Sequence, residues 1–460
     1  MTKQSLVGIL GILALCASAA CSLTTTTGLS QADVNGTAVA ETLSSIVSTS
    51  NALISTSSPA TSEPPIAEPG SNVPLTLGTL RLVFLDANRN IWIWNEGGSP
   101  QPLTSSSDIT EALISPDGGT VAYFRDPDQA HATIWAMQAD GSNPRQLVGD
   151  DFFNQLPAPE NALAMNPIRM GWVPGTLNLL FNTGATYEIG SFPSDDLWIV
   201  NTSTGSYRTI KDGGNGGNFT VSPDGSKIAI VRPTSLSVYS LDGSDESTPL
   251  SYPAMITYSE GQYYPRPVWS ADSSHLRIVI PPVDPLANPN AMTISVYDVP
   301  TDGSPAALLR QFQVRPFSIF PISPNLEWIL YLTTDDPSNN TVAVHLASLS
   351  GDQDIIELTS HLNGLIWTPD SNGFVVQNSD PSSTELYGLQ PVQYGDLTDT
   401  QSVENVQFID NSRFLFIKDA GSTYELRLGT LGYPGPLPSV LVATMPKDIV
   451  GGIPTYSFTK

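Results

Sequence analysis

From about residue 80 to the end of the chain, short apolar runs alternate with clusters of Ser, Pro, Asp, Asn and Gly. One pattern recurs: Ile114-Ser115-Pro116-Asp117-Gly118, Val221-Ser222-Pro223-Asp224-Gly225, Trp269-Ser270-Ala271-Asp272-Ser273, Ile322-Ser323-Pro324-Asn325 and Trp367-Thr368-Pro369-Asp370-Ser371. Weaker copies stand at Trp172-Val173-Pro174-Gly175 and Phe408-Ile409-Asp410-Asn411, and neighbouring copies lie 41 to 58 residues apart. Each copy suits a tight turn: Pro fixes φ, Asp or Asn caps its own backbone, and Gly or Ser accepts the last geometry. A strand is expected after each turn, and the residues comply, as in Val121-Ala122-Tyr123-Phe124, Ile228-Ala229-Ile230-Val231 and Phe414-Leu415-Phe416-Ile417. A third strand follows with a large residue near its centre (Trp135, Trp198, Tyr239, Tyr297, Tyr387). It commonly runs into a second turn such as Asp140-Gly141-Ser142, and a short fourth strand ends the unit.

A period of this length in four-stranded units is that of propeller blades. The units resemble the WD-repeat-like blades of the Tol-system periplasmic propeller and of dipeptidyl peptidase N-terminal domains over roughly residues 78–460, although the Gly-His and Trp-Asp pairs of true WD repeats are absent. The fold class expected is therefore all-β, a propeller of about eight four-stranded blades. Seven is the alternative if the copy around Trp172 or Phe408 is an excursion. Residues 80–104 lack an innermost strand, and the C-terminal Ile453-Pro454-Thr455-Tyr456-Ser457-Phe458 is left over, so the C-terminal strand is expected to close the ring.

The N-terminal part reads differently. Lys3, an apolar run from Leu6 to Leu15, and Ser18-Ala19-Ala20-Cys21 form a targeting segment over 1–21. Cys21 resembles the lipid-modified cysteine of a bacterial lipobox, with Ser18 where that family prefers Leu; the alternative is an ordinary signal peptide cut after Ala20. Residues 22–77 are rich in Ser, Thr, Ala and Pro and cannot bury enough apolar surface to fold alone. As a flexible tether of about 55 residues they would span on the order of 40 Å. The folded domain is then 78–460, and with no cysteine after Cys21 it must be held by packing.

Composition narrows the partners. Against 19 Lys and Arg stand 44 Asp and Glu, a net charge of −25 with no basic run, which opposes nucleic acid. No Gly-x-Ser-x-Gly, His-Glu-x-x-His, clustered Cys/His or phosphate loop occurs, so no catalytic residue, cofactor or metal is assigned. Asp86-Ala87-Asn88-Arg89-Asn90 opens like a calcium loop, but Ile91 replaces the glycine and a plain hairpin is expected. Trp172, Trp269 and Trp367 are read as packing between blades, and Asp117, Asp224, Asp272 and Asp370 as turn caps.

Connections between second and third strands, and between fourth and first, share one face of the disc. They hold the long insertions at 125–132, 149–169, 182–196, 252–267, 281–291 and 335–340. Long loops gathered on one face are where binding residues concentrate. There the residue three before each inner-strand pivot falls at Glu111, Arg169, Asn218, Arg266 and Asn405, and Tyr258, Tyr263 and Tyr264 neighbour them. A guanidinium on this acidic background suits a carboxylate or sugar. The competing reading pairs both arginines with local carboxylates and packs the tyrosines between blades. The function expected is that of a monomeric, lipid-anchored binding module outside the cytoplasm of a bacterium, taking an envelope protein, peptide or glycan. An envelope enzyme (lyase, glycosidase or peptidase) using loop carboxylates, and a structural scaffold, are the alternatives.

Overall fold

The computed structural model describes residues 80–459 apart from 245, 289, 337–340, 352–357, 380–381, 390–392, 398–402, 432–437 and 448–453. The leader, Cys21 and the tether expected over 22–77 lie outside the described residues. The described residues form antiparallel sheets in sequence order, with one short helix, Asp150–Phe153.

The turn motif works as its composition implies. In the copy at Ser222, the serine Oγ donates to Asp224 Oδ1 (2.6 Å) and accepts from Lys227 N (2.9 Å), while Gly225 N returns to Ser222 O (2.9 Å). The same Ser/Thr-to-Asp/Asn bond joins Ser270 to Asp272, Ser323 to Asn325 and Thr368 to Asp370. Where glycine is replaced by serine, Ser273 and Ser371 sit at φ 61° and 62°, a left-handed backbone that glycine would take without strain. Both serines give something back: Ser273 Oγ accepts from Asp224 N (3.2 Å) and Ser371 Oγ from Asn325 N (2.9 Å), each tying its turn to the turn of the preceding sheet.

Each second strand carries a central run of buried apolar residues on both faces because both faces are covered. Val121 and Tyr123 pack against Val83 and Ile93 of the sheet before, while Ala122 and Phe124 pack against Leu179 and Phe181 of the sheet after. Ile228 and Ile230 face back toward Leu180, whereas Ala229 and Val231 face on toward Ile278 and Ile280. The alternation continues through Leu330 against Phe374 and Val375 against Phe414. It ends with Leu415 and Ile417 against Leu82 and Phe84, so the layers form a closed ring.

Eight sheets occupy this ring. Seven have the four strands of a propeller blade, one of these with an extra strand, Gly190–Pro193; seven is the smaller of the two counts expected. The other, the sixth in sequence, has three strands, Trp328–Asp336, Thr341–Ser348 and Leu358–Ser360, and its inner position is reduced to the single bridge Ile322↔Ile329. The shortfall is therefore not at Trp172 or Phe408, which end full inner strands, Ala164–Trp172 and Val403–Phe408. Its cause is proline: Pro316 and Pro321 remove donors from the segment that would pair.

The C-terminal strand Tyr456–Thr459 pairs antiparallel with Arg81–Leu85 and fills the innermost position of the first sheet, as expected. Tyr456 is buried against Leu80, Leu415 and Met445, and its hydroxyl donates to the carbonyls of Asn405 and Leu415 in the eighth sheet. On the other side Thr459 Oγ1 donates to Pro116 O (2.6 Å) in the second sheet. The tryptophans are inter-sheet core: Trp172 Nε1 donates to Leu113 O (3.4 Å) and Trp367 Nε1 to Pro321 O (3.0 Å). Asp86 caps a plain hairpin, accepting from Asn88 N and Asn90 N.

Replacing Tyr456 by Ala removes a buried ring and two hydrogen bonds at the seam. A loss of about 3–5 kcal/mol is expected, read as a lowered denaturant midpoint, and an unchanged midpoint would show that the C-terminal strand does not hold the ring.

Candidate functional site

The inner strands of neighbouring sheets place equivalent residues side by side around the channel. Glu111 lies on Ile109–Ile114 of the second sheet, Arg169 on Ala164–Trp172 of the third, and Asn218 opens Asn218–Val221 of the fourth. In the fifth sheet the inner strand is only Val268–Trp269. Pro265 and Pro267 flank Arg266 and cannot donate to a ladder, so Arg266 stays outside the strand. β-Bulges interrupt the register between Ile109 and Glu111 and between Pro167 and Arg169. A bulge turns the following side chain away from the regular pleat.

Five of the eight expected residues line one open cavity of about 490 Å³: Arg169, Asn218, Tyr263, Tyr264 and Arg266, together with Gln262. The Arg169 guanidinium rests 5.9 Å from the Phe219 ring centroid. Gly171, on the same face of the strand, makes room for that ring, since a β-carbon there would stand 3.1 Å from it. Among the described residues neither Arg169 nor Arg266 makes a hydrogen bond or an ion pair within 4 Å, so the expectation that both arginines are tied to local carboxylates does not hold. Desolvation lowers the Arg169 pKa, the like charge of Arg266 adds to this, and Glu111 opposes it. Desolvation pushes the Glu111 carboxyl up to about 7 against the pull of Arg169. Burial also raises the Tyr263 phenol, with Arg266 opposing.

The remaining expected residues divide. Tyr264 does pack between sheets: it lies against the core shared by the fourth and fifth, and its hydroxyl donates to Asp195 Oδ1 (2.8 Å). Tyr258 lines an adjoining cavity of about 660 Å³ that shares Gln262 and Tyr263 with the first. It is 58% exposed at φ 58°, and its hydroxyl donates to Asp284 Oδ1 (2.7 Å). Asn405 is not part of this site: in the eighth sheet its Nδ2 donates to Pro454 O (3.4 Å) and its Oδ1 accepts from Gln407 Nε2 (2.9 Å), which fixes the entry of the closing strand. Of the equivalent polar positions, Glu111, Arg169, Asn218 and Arg266 thus form an arc over the second to fifth sheets.

Sequence reasoning missed Gln262, which the loop logic that selected Tyr263 could have included, and Phe317, for which no signal exists. Phe317 is 53% exposed at φ 55°, and its ring meets Tyr258 edge-on at 6.5 Å. Ile256, Val283 and Ile319 are exposed in the same loops. Two bulky aromatics in the left-handed region, both facing solvent, are strain of the kind held at binding surfaces. Among the described residues no cluster of three or more His, Cys, Asp or Glu could hold a metal, and no helix is long and apolar enough to cross a membrane.

No protein-family model matches the sequence, and no curated protein does. The chain is similar in structure to a eukaryotic initiation factor, at 14% identity and TM-score 0.49 over 80% of this chain and 85% of that one. It is also similar to a prolyl endopeptidase (12%, TM-score 0.48, 74% of this chain and 50% of that one) and to TolB from Acinetobacter baumannii (17%, TM-score 0.32, 62% and 65%). TolB-like and peptidase propellers are thus among the solved structures it resembles, as the repeat implied. None of these likenesses carries an argument about function.

The Glu111 carboxyl provides a check on the site. Its folded pKa lies above that of a free glutamate, so folding favours the protonated form; stability is full below about pH 4.5 and falls as pH rises toward 7. Glu111→Gln should therefore be more stable than the parent chain at pH 8 and no different at pH 4, by denaturant midpoints. Equal midpoints at pH 8 would show that the Glu111 carboxyl is solvated and does not carry a burial penalty.

Proposed function

We propose that this chain is a recognition module outside the cytoplasm of a bacterial cell, a monomer anchored through lipid on Cys21, that holds an envelope protein, peptide or glycan against the loop-rich face of its propeller. The observation that carries the reading is the cavity in which Arg169 and Arg266 stand together with no carboxylate bonded to either. An acidic protein that leaves two guanidiniums unbonded at an open cavity leaves a ready place for a negatively charged or hydroxyl-rich group, which planar forks bind with fixed geometry. The exposed apolar residues beside it, with Tyr258 and Phe317 at their centre, support a ligand larger than the cavity, since contiguous apolar surface of this kind marks interaction sites. The signal-like segment, Cys21 and the Ser/Thr/Pro-rich stretch support the compartment.

A second reading, an envelope lyase, glycosidase or peptidase, draws on one observation. Glu111 titrates near neutrality, where a carboxyl can serve as general acid or base. It predicts turnover that Glu111→Gln abolishes, whereas a binding module keeps its ligand in that variant.

The test is retrieval from envelope extract by the full chain and by Arg266→Ala and Tyr258→Ala. At least one component is expected to be retained by the parent and lost at least tenfold by both variants, with melting temperatures within about 3 °C of the parent. Identical retrieval by all three proteins would remove the loop face from the function.

A further inference from the structure

Among the described residues, the side chains of Glu111, Arg169 and Arg266 make no hydrogen bond and no ion pair, as is also true of Glu260 in the adjoining cavity and Glu404 on the inner strand of the eighth sheet. Other charges around them are satisfied. Asp108 is held by Arg125 (2.7 Å) on the sheet that carries Glu111, Asp195 by Tyr264, and Arg232 donates to the carbonyls of Asn215 and Gly216. The inner strand on the other side of Glu111, Tyr456–Thr459, carries no charge. Arg169 is therefore the cation that Glu111 faces, one inner strand away at the equivalent position. The Trp172 Nε1 bond to Leu113 O fixes the register between those two strands. Arg169 in turn looks across the cavity toward Arg266, which Tyr263 accompanies. Glu111 thus neighbours Arg169, and Arg169 neighbours Arg266 across the cavity, each close enough to be felt and too far to bond.

We infer that the cavity is an oxyanion site whose occupancy is coupled to a proton on Glu111: a carboxylate, sulfate or phosphate group of the ligand sits between Arg169 and Arg266, and Glu111 is the resident competitor for Arg169. The inference rests on the reading of this cavity as the ligand site. With Glu111 ionised, half the charge of the pair is already answered, and an incoming anion meets repulsion. With Glu111 neutral, both guanidiniums are available. Linkage makes the effect reciprocal: a bound anion favours protonated Glu111 as much as protonated Glu111 favours the anion. The carboxyl already titrates close to neutral pH, so the coupling falls within the range a cell envelope meets. Binding then takes up a proton, tightens as pH falls through about 7, and weakens above it. The other titratable groups facing the cavity, Tyr263 and Tyr264, have phenols raised above their ordinary value and stay neutral throughout.

The probes are sulfate and glucuronate, neither of which titrates between pH 6 and pH 8, added to the full chain and followed by calorimetry in two buffers of different ionisation enthalpy. The parent protein is expected to bind at least one of them about fivefold or more tightly at pH 6 than at pH 8, with net proton uptake near pH 7. Sulfate alone would assign a sulfate or phosphate group to the ligand, and glucuronate alone a carboxylate. Glu111→Gln should bind with the pH 6 affinity at both pH values and take up no proton, and Arg266→Ala should lose at least tenfold at both. Failure of both anions to bind, or a pH dependence that survives in Glu111→Gln, would overturn the inference. If retrieval of an envelope component depends on Arg266 but its affinity is flat with pH, the recognition reading stands and the proton coupling fails. If the anions behave as described while retrieval ignores Arg266, the coupling stands and the recognition reading fails.

Discussion

Everything in this molecule depends on a ring that must close. A propeller sheet has two apolar faces and cannot be stable with either one in water, so each sheet needs a neighbour on both sides. Leu415 and Ile417 of the eighth sheet find Leu82 and Phe84 of the first. That contact joins residues more than 300 positions apart, and loop-closure entropy opposes it until the rest of the ring is formed. The C-terminal strand gives the seam covalent continuity with the eighth sheet and hydrogen bonds to the first, and Tyr456 fills the gap between them. The first sheet consequently offers no open inner edge.

The architecture was largely legible because it is written in short-range chemistry. A Ser-Pro-Asp-Gly turn needs only its own residues, and the strand after it declares itself by a run of consecutive apolar residues that a one-sided sheet would not tolerate. The aromatics assigned to third strands, Trp135, Trp198, Tyr239, Tyr297 and Tyr387, all lie on them. What misled was a turn with good chemistry and a poor approach. Ser323-Pro324-Asn325 forms its Ser-to-Asn bond as the other copies do, yet its inner strand is reduced to one bridge because prolines upstream interrupt the donors. Counting turns overestimates complete blades when the residues before the turn cannot pair.

The site was legible in part, and for a geometric reason. Position within a repeat says how high on the channel wall a side chain stands, which is why Arg169, Asn218 and Arg266 meet in one cavity. It does not say which neighbours the wall has. Asn405 stands at the equivalent height, but its sheet borders the seam, where the closing strand claims its amide. Tyr264 and Tyr263 are adjacent in sequence and diverge in role, because Asp195 is within reach of one hydroxyl and Arg266 faces the other ring. Proline again decides the outcome: Pro265 and Pro267 hold Arg266 off the ladder, and the same residue type that truncates the sixth sheet frees this guanidinium.

An unpaired arginine pair in a chain of net charge −25 is a selective arrangement rather than a strong one. At physiological ionic strength charges screen one another beyond about 8 Å, so the acidic surface governs approach and the two guanidiniums govern only what has already arrived. A net charge of −25 opposes the approach of a long polyanion. A ligand with one or two negative groups embedded in neutral or apolar surface meets less opposition, and the strained aromatics at Tyr258 and Phe317 lie where such surface would rest. On the proposed reading, the acidic surface disfavours polyanions as they approach, and the two guanidiniums would select among the ligands that remain.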